Sequence, residues 1–286
     1  MLLVTVVIWA FNFTVTKYVL DEGFKPLAYS CLRFGAAGML FAALTYGRER
    51  SFRLAPRHAL LLLGAAFVGI YVNQIAFVYA IDLTNASTTA LIFGTLPVVT
   101  ALIASFFGVE RLSRRFWLAA TLSFAGVVLV AVGGEGGLSS DLTGDLLAFL
   151  GAITWGLYSV AIAPLMRHYS PYRISTVALL AGFVPLLLTA LPQLLDQDWD
   201  LPASVWAAYV FAVLGPLVLT NVLWFTAIDR VGPSRATLVT NLQPFLAAVF
   251  AVVLLSETVT AVQLAGGAAI GASLLLARRH AVAEQT

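Results

Sequence analysis

The sequence predicts an all-α membrane protein: ten transmembrane helices arranged as two five-helix repeats of opposite orientation. Three observations predict it. Hydrophobic residues make up 60% of the chain and charged residues only 10%, more apolar surface than a soluble chain of this size can hide. Apolar runs near twenty residues long recur along the whole chain, and about twenty helical residues cross the ~30 Å hydrocarbon layer. Finally, residues 80–110 and 227–257 nearly repeat. At an offset of 147, Ala80, Ile81, Asp82, Ser87, Leu91, Pro97, Ala101, Ala104 and Glu110 fall on Ala227, Ile228, Asp229, Ser234, Leu238, Pro244, Ala248, Ala251 and Glu257. A β-barrel would show short alternating segments instead.

Span 1, roughly 2–20, carries Trp9, Asn12 and Thr16 on one face at helical spacing. It lacks the basic start and small-residue cleavage site of a signal peptide; the natural start is expected a little upstream, or a short arm was trimmed. Span 2, 26–46, follows Pro26 and carries Cys31 and Arg33. Span 3, 57–81, offers Gln74 and Tyr79 and ends at Asp82. Span 4, 84–107, has Pro97 near its middle and leads to Glu110. Span 5, 114–132, contains Gly126 and closes the first repeat, residues 1–132. Residues 133–143, with a Gly-Gly-Glu-Gly-Gly run, read as a flexible outer linker. No strand precedes these glycines and no Gly-Lys-Ser/Thr follows, so a phosphate-binding loop is disfavoured.

The second repeat, 144–286, opens with span 6, 144–166, which offers Trp155, Tyr158 and Ser159. Span 7, 172–195, follows Pro171 as span 2 follows Pro26. Span 8, 203–228, carries Asn221, the copy of Gln74, with Trp224 one turn on. Span 9, 234–255, holds Asn241, Gln243 and Pro244. Span 10, 260–277, contains Gly267 and Gly271, whose spacing permits close helix approach within the subunit or, alternatively, in a weak homodimer.

Basic residues set the expected orientation. Thirteen arginines fall in one set of connections: Arg48, Arg50, Arg53, Arg57, Arg111, Arg114, Arg115, Arg167, Arg173, Arg230, Arg235, Arg278 and Arg279. The other set holds only Lys17 and Lys25 and is acidic, with Asp21, Glu22, Glu135, Asp141, Asp145, Asp196, Asp198 and Asp200. Both termini are therefore expected in the cytoplasm. With five spans per half, the second half inserts upside down.

Much else is excluded. Connections are too short for a soluble catalytic domain. No basic patch with interleaved aromatics points to nucleic acid. A single cysteine rules out an internal disulfide or a cysteine-rich metal site. His58, His168 and His280 all lie in connections, so no metal site or cofactor is expected. There is no His-Glu-x-x-His, Gly-x-Ser-x-Gly or aspartate-rich motif, so an embedded enzyme is disfavoured. A channel would prefer a continuous polar pore.

The polar and aromatic residues near mid-span instead converge from both halves. Trp9, Asn12, Gln74, Tyr79, Trp155, Tyr158, Asn221, Trp224, Asn241 and Gln243 are the candidate lining of a central cavity for a small-molecule substrate. Each amide taken singly could equally be inter-helix glue. Pro97 and Pro244 each free the carbonyl four residues back, at Phe93 and Thr240, and so read as kinks or hinges. Arg33 is the only arginine or lysine well inside a span. It reads as a substrate-carboxylate ligand or gate latch, or as a side chain reaching outward to Asp21 or Glu22. Glu110 and Glu257 read as helix caps or loop partners, and no carboxylate lies at any span centre. Inverted repeats of this kind belong to secondary transporters, whose halves rock around a site between them.

The doubled pattern resembles the EamA family of the drug/metabolite transporter superfamily. It reads Pro97, Ala101, Ala104, Glu110, Gly126, then Pro244, Ala248, Ala251, Glu257, Gly266, Gly267, Gly271. The Trp9 start and the Leu32-Arg33-Phe34 of span 2 also fit. The resemblance covers essentially the whole chain. It implies a bacterial inner-membrane permease, often an exporter of amino acids or other metabolites. The aromatic content leans toward the aromatic amino-acid exporter subgroup.

Overall fold

The computed structural model describes residues 1–84, 86–132, 141–246 and 260–278. Eight helices are long and apolar enough to cross a membrane. They are α1 (Leu2–Asp21), α2 (Pro26–Glu49), α3 (Pro56–Leu83), α4 (Thr88–Phe106), α5 (Arg114–Val132), α6 (Leu142–Arg167), α7 (Pro171–Leu195) and α8 (Ala203–Val231). Helix α9 opens as Pro233–Thr240 and resumes over 242–246. Helix α10 (Ala261–Ala277) is a shorter apolar helix. No strand occurs among the described residues. The 133–140 part of the linker, with Glu135, lies outside the described residues, as do Ala248, Ala251, Glu257, Arg279 and His280.

Helix starts follow local chemistry. Pro26, Pro56, Pro171 and Pro233 each sit in the first turn, where a missing N–H costs nothing. Helix α6 begins at Leu142, two residues before the expected start, because the Asp141 carboxylate accepts the Gly144 N–H at 2.7 Å. The start of α2 is satisfied by α7 and the connection that follows it. Gln197 Oε1 accepts the Lys25 N–H and Gln193 Oε1 the Leu27 N–H, both at 2.7 Å. Helices α2 and α7 then lie close along their length. Gly35 abuts Phe183 and Gly38 abuts Leu180, and Thr45 and Thr176 share a hydrogen bond of 2.8 Å.

Neither α3 nor α8 is a regular α-helix throughout. Each contains a π-helical turn, Phe67–Val72 in α3 and Leu214–Leu219 in α8. The two turns stand 147 residues apart, the same offset that relates the sequence repeats. Helix α4 breaks between Ala86–Phe93 and Leu96–Phe106, at Gly94-Thr95. Helix α9 breaks at Asn241, the position equivalent to Gly94. The kinks expected at Pro97 and Pro244 are thus breaks centred about three residues upstream. Each proline opens the segment beyond the break rather than interrupting a helix.

One large apolar core joins α1, α2, α3, α6, α7 and α8. Helices α5 and α10 pack mainly on each other beside it. Their closest approach is at Gly126 and Gly266, where a Cβ on either would meet the other's carbonyl oxygen at 2.7 or 2.6 Å. The expected Gly267–Gly271 pair plays a lesser part. Gly267 abuts Phe245, while a Cβ on Gly271 would meet open space.

Two polar clusters mark opposite ends of the bundle. At one end Lys25 pairs with Asp196, and Gln193 donates to the Tyr79 hydroxyl at 3.0 Å. At the other, Arg173 pairs with Glu49 at 2.7 Å and the Ser170 hydroxyl donates to the same carboxylate. Glu110 lies there too, accepting the Ser234 N–H at 3.1 Å at the start of α9. Its carboxylate caps a helix from the other half of the chain, as one expectation for it had it.

Candidate functional site

A cavity opens where the π turns and the helix breaks meet. Its volume is about 110 Å³, room for several waters. Helices α1, α2, α3, α4, α6, α7, α8 and α9 all contribute to its wall. The π turns explain how. One extra residue in a turn rotates the downstream side chains out of the regular α register. In α3 the first side chains beyond the turn are Asn73 and Gln74, and in α8 they are Thr220 and Asn221. Asn73, Gln74 and Asn221 accordingly line the cavity, with Phe93, Leu96, Thr240 and Gln243 reaching it from either side of the two breaks.

Aromatic rings form two walls. Trp9 and Trp155 line one, with Trp224 packed behind them, ring centroids 4.9 to 6.3 Å apart. The Trp9 indole N–H donates to the Thr220 hydroxyl at 2.9 Å and to the Pro216 carbonyl at 3.3 Å, which fixes its ring. Across from it Phe13, Phe77 and Phe93 form an edge-to-face triad with centroids 5.4 to 6.1 Å apart.

Arg33 supplies the only charge in this wall among the described residues. Its side chain is 2% exposed. Nη1 donates to Asn12 Oδ1 and to the Tyr29 hydroxyl, both at 3.4 Å, and Nη2 donates to Gln74 Oε1 at 3.3 Å. Nε has no partner among the described residues. The expectation that it reaches outward to Asp21 or Glu22 is not met. Asp21 pairs with Lys17 at 3.2 Å one turn earlier, while the Arg33 guanidinium turns inward over the Tyr29 and Phe34 rings. All three acceptors are neutral and distant beside the ~2.7–2.9 Å of a charge-assisted bond. A buried cation with no counter-charge costs on the order of several kcal/mol.

Of the candidate residues, the cavity brings together Trp9, Asn12, Arg33, Gln74, Trp155, Asn221 and Gln243. The others stand behind it. Trp224 is fully buried, and Tyr158 packs on Gly69 and Phe225. Asn241 Nδ2 donates to Ser123 on α5 at 3.0 Å, so this amide joins helices. Tyr79 belongs to the Gln193 cluster at the bundle end. Pro97 and Pro244 are buried beside the breaks. Sequence reasoning passed over Asn73, whose amide donates to the Gly151 carbonyl at 2.8 Å and to Thr154 at 3.0 Å. It also passed over Phe13, Phe77, Pro216 and Leu217. The available signal was the repeat offset, which sets Asn73 against Thr220 as neighbouring polar positions in two apolar spans.

Comparison with known proteins agrees with this outline. The model of the EamA-like transporter family matches residues 1–132 and 142–279. The chain is 28% identical to the "Probable terminal-alkyne amino-acid exporter" of Streptantibioticus cattleyicolor, over 98% of this chain and 92% of that one. It is 26% identical to the "Probable amino-acid metabolite efflux pump" of Salmonella typhimurium, over 96% and 92%. It is 27% identical to the "Uncharacterized transporter YyaM" of Bacillus subtilis, over 82% and 78%. A solved crystal structure shares the fold with a TM-score of 0.77 at 19% identity, covering 99% of each chain.

Proposed function

Because this chain belongs to the EamA-like transporter family, a family of transporters rather than enzymes, we propose that it is a secondary permease working by alternating access. Its cargo is a small metabolite, with amino acids first among the classes to test because two relatives are named for amino-acid export. In this reading residues 1–132 and 144–286 are inverted five-helix repeats, ten spans in all. The protein sits in the bacterial inner membrane, like the relative named as an inner membrane transporter from Escherichia coli, with both termini cytoplasmic.

One observation carries the reading. The irregular backbone of the two halves, π turns and breaks alike, occurs at positions related by one offset and converges on one cavity. Unwound or bulged backbone inside a membrane is tolerated where it faces protein or a wet cavity, and transporters place their sites at such points. Trp9, Asn12, Gln74, Trp155, Asn221 and Gln243 then contact substrate, and the segments beyond Pro97 and Pro244 move as gates.

The test is flux. Purified protein in liposomes should catalyse saturable, counterflow-competent movement of at least one amino acid or related metabolite. Trp155→Ala should slow it at least about tenfold with unchanged reconstitution. A protein that binds no solute and moves none of a broad panel would leave the scaffold reading in its place.

A further inference from the structure

Arg33 lies in the cavity wall, almost fully buried, and among the described residues no acidic side chain lines that cavity with it. The described ion pairs are Lys17–Asp21, Lys25–Asp196 and Glu49–Arg173, all at helix ends. We infer that the permease takes a net-anionic carboxylate with an apolar or aromatic body, whose carboxylate supplies the counter-ion that Arg33 lacks. This names the substrate class of the cavity proposed above and rests on that reading of it.

The guanidinium is set up for such a ligand. Its fork is planar and matches a carboxylate with two parallel bonds. Its present acceptors, Asn12, Tyr29 and Gln74, are long contacts that a carboxylate can displace at little cost. Gln74 is held in place from behind, since its Nε2 donates to Ser30 Oγ at 3.0 Å. Nε, still unpartnered, offers a further N–H. The body of the ligand would lie between the indoles of Trp9 and Trp155 and the Phe13, Phe77, Phe93 triad.

The same inventory disfavours an ammonium. A zwitterionic amino acid brings its cation within a few ångströms of Arg33, into a wall whose remaining polar groups, among the described residues, are neutral amides and hydroxyls. Ring faces can hold a cation, but they would do so against the field of the arginine. Masking or deleting the amine should therefore tighten binding. This departs from a plain amino-acid substrate and keeps the carboxylate half of it.

The experiment is equilibrium binding by calorimetry on the purified full chain in detergent at neutral pH, so that it does not depend on flux. Three ligands share one skeleton: 3-phenylpropanoate, phenylalanine and phenethylamine. The expected order is 3-phenylpropanoate tightest, phenylalanine weaker by at least about tenfold, and phenethylamine weakest. Arg33→Gln should weaken 3-phenylpropanoate by about a hundredfold and Arg33→Lys by about tenfold, because lysine keeps the charge and loses the fork. Unliganded R33Q should melt no lower than wild type, since it removes an uncompensated buried charge.

Phenylalanine binding as tightly as 3-phenylpropanoate, or unchanged binding in R33Q, would overturn the inference. So would a failure of 3-phenylpropanoate to bind at millimolar concentration. If R33Q and R33K both melt low while the ligand order survives in them, Arg33 is a structural residue and the inference also falls. Binding in the expected order without flux in liposomes would support the carboxylate site and remove the permease reading alone.

Discussion

Neighbouring side chains at this site divide into those that face the void and those that hold its walls, and substitution should separate the two. Trp155 faces the void, so Trp155→Ala should impair transport while melting changes little. Tyr158 lies one turn on, 1% exposed and packed on Gly69 and Phe225. Tyr158→Ala should therefore destabilise by about 3–5 kcal/mol, in the range for large aromatic deletions, read as a lower melting temperature in detergent. Equal stability of the two variants would contradict the division. Lys25 and Asp196 give a pH prediction. The Lys25 ammonium, first by its hydrogen bond and then by its charge, holds the Asp196 carboxyl below its ordinary range. A depressed carboxyl contributes stability above its unfolded value and loses it as pH falls through the lower folded one. The pair is exposed, so the contribution is small. It should be constant through neutral pH and vanish only in strong acid, a dependence that Asp196→Asn should erase. A melting temperature that shifts near neutrality and is flattened by D196N would count against it.

Helices of this chain owe their positions to apolar runs and the cavity they line to departures from regularity, and only the first of these is written plainly. Every long helix lies within a few residues of its expected span, because run length, proline starts and charged connections mark the ends directly. Prolines at equivalent positions in spans 4 and 9 signal kinks in those helices. They did not announce that the break falls at Gly94-Thr95 and at Asn241. Nor does any residue type signal a π turn. Phe67–Val72 and Leu214–Leu219 share only their apolar character and a helix-weakening residue at the same place, Gly69 in one and Pro216 in the other. The extra residue is fixed by packing, as where Tyr158 seats against Gly69. That is why Asn73 was missed while Gln74 was not. The π turns are testable as registers. Deleting Val68 should restore α-helical register in α3 and swing Asn73 and Gln74 away from the cavity by about 100°. Transport and ligand binding should both fail in a protein that still inserts. Retained binding would mean that the turn does not aim these amides.

Across the whole molecule, local polar clusters tie the two halves together at both bundle ends while the cavity lies between. Glu110 caps the first turn of α9, Glu49 holds Arg173, and at the opposite end Asp196 holds Lys25 and Gln197 caps α2. Each joins an element before residue 132 to one after 141. Among the described residues Arg53 and Arg173 gather at the end that holds Glu49, and Asp198 and Asp200 follow Asp196 at the other. The charge asymmetry is legible because it lies in the connections of the sequence itself; the cross-half pairs are not, because they depend on which helices become neighbours. If repulsion from the translocation machinery fixes the basic end inside, single cysteines report it. Cys31 is buried, so a Cys31→Ala background costs little reactivity. Phe52→Cys, in the connection between α2 and α3, should be shielded from an impermeant maleimide in intact cells and react in inverted vesicles. Glu22→Cys, in the exposed connection between α1 and α2, should react in intact cells. Labelling in the reverse sense would place both termini outside and, with them, the whole assignment of inner and outer gates.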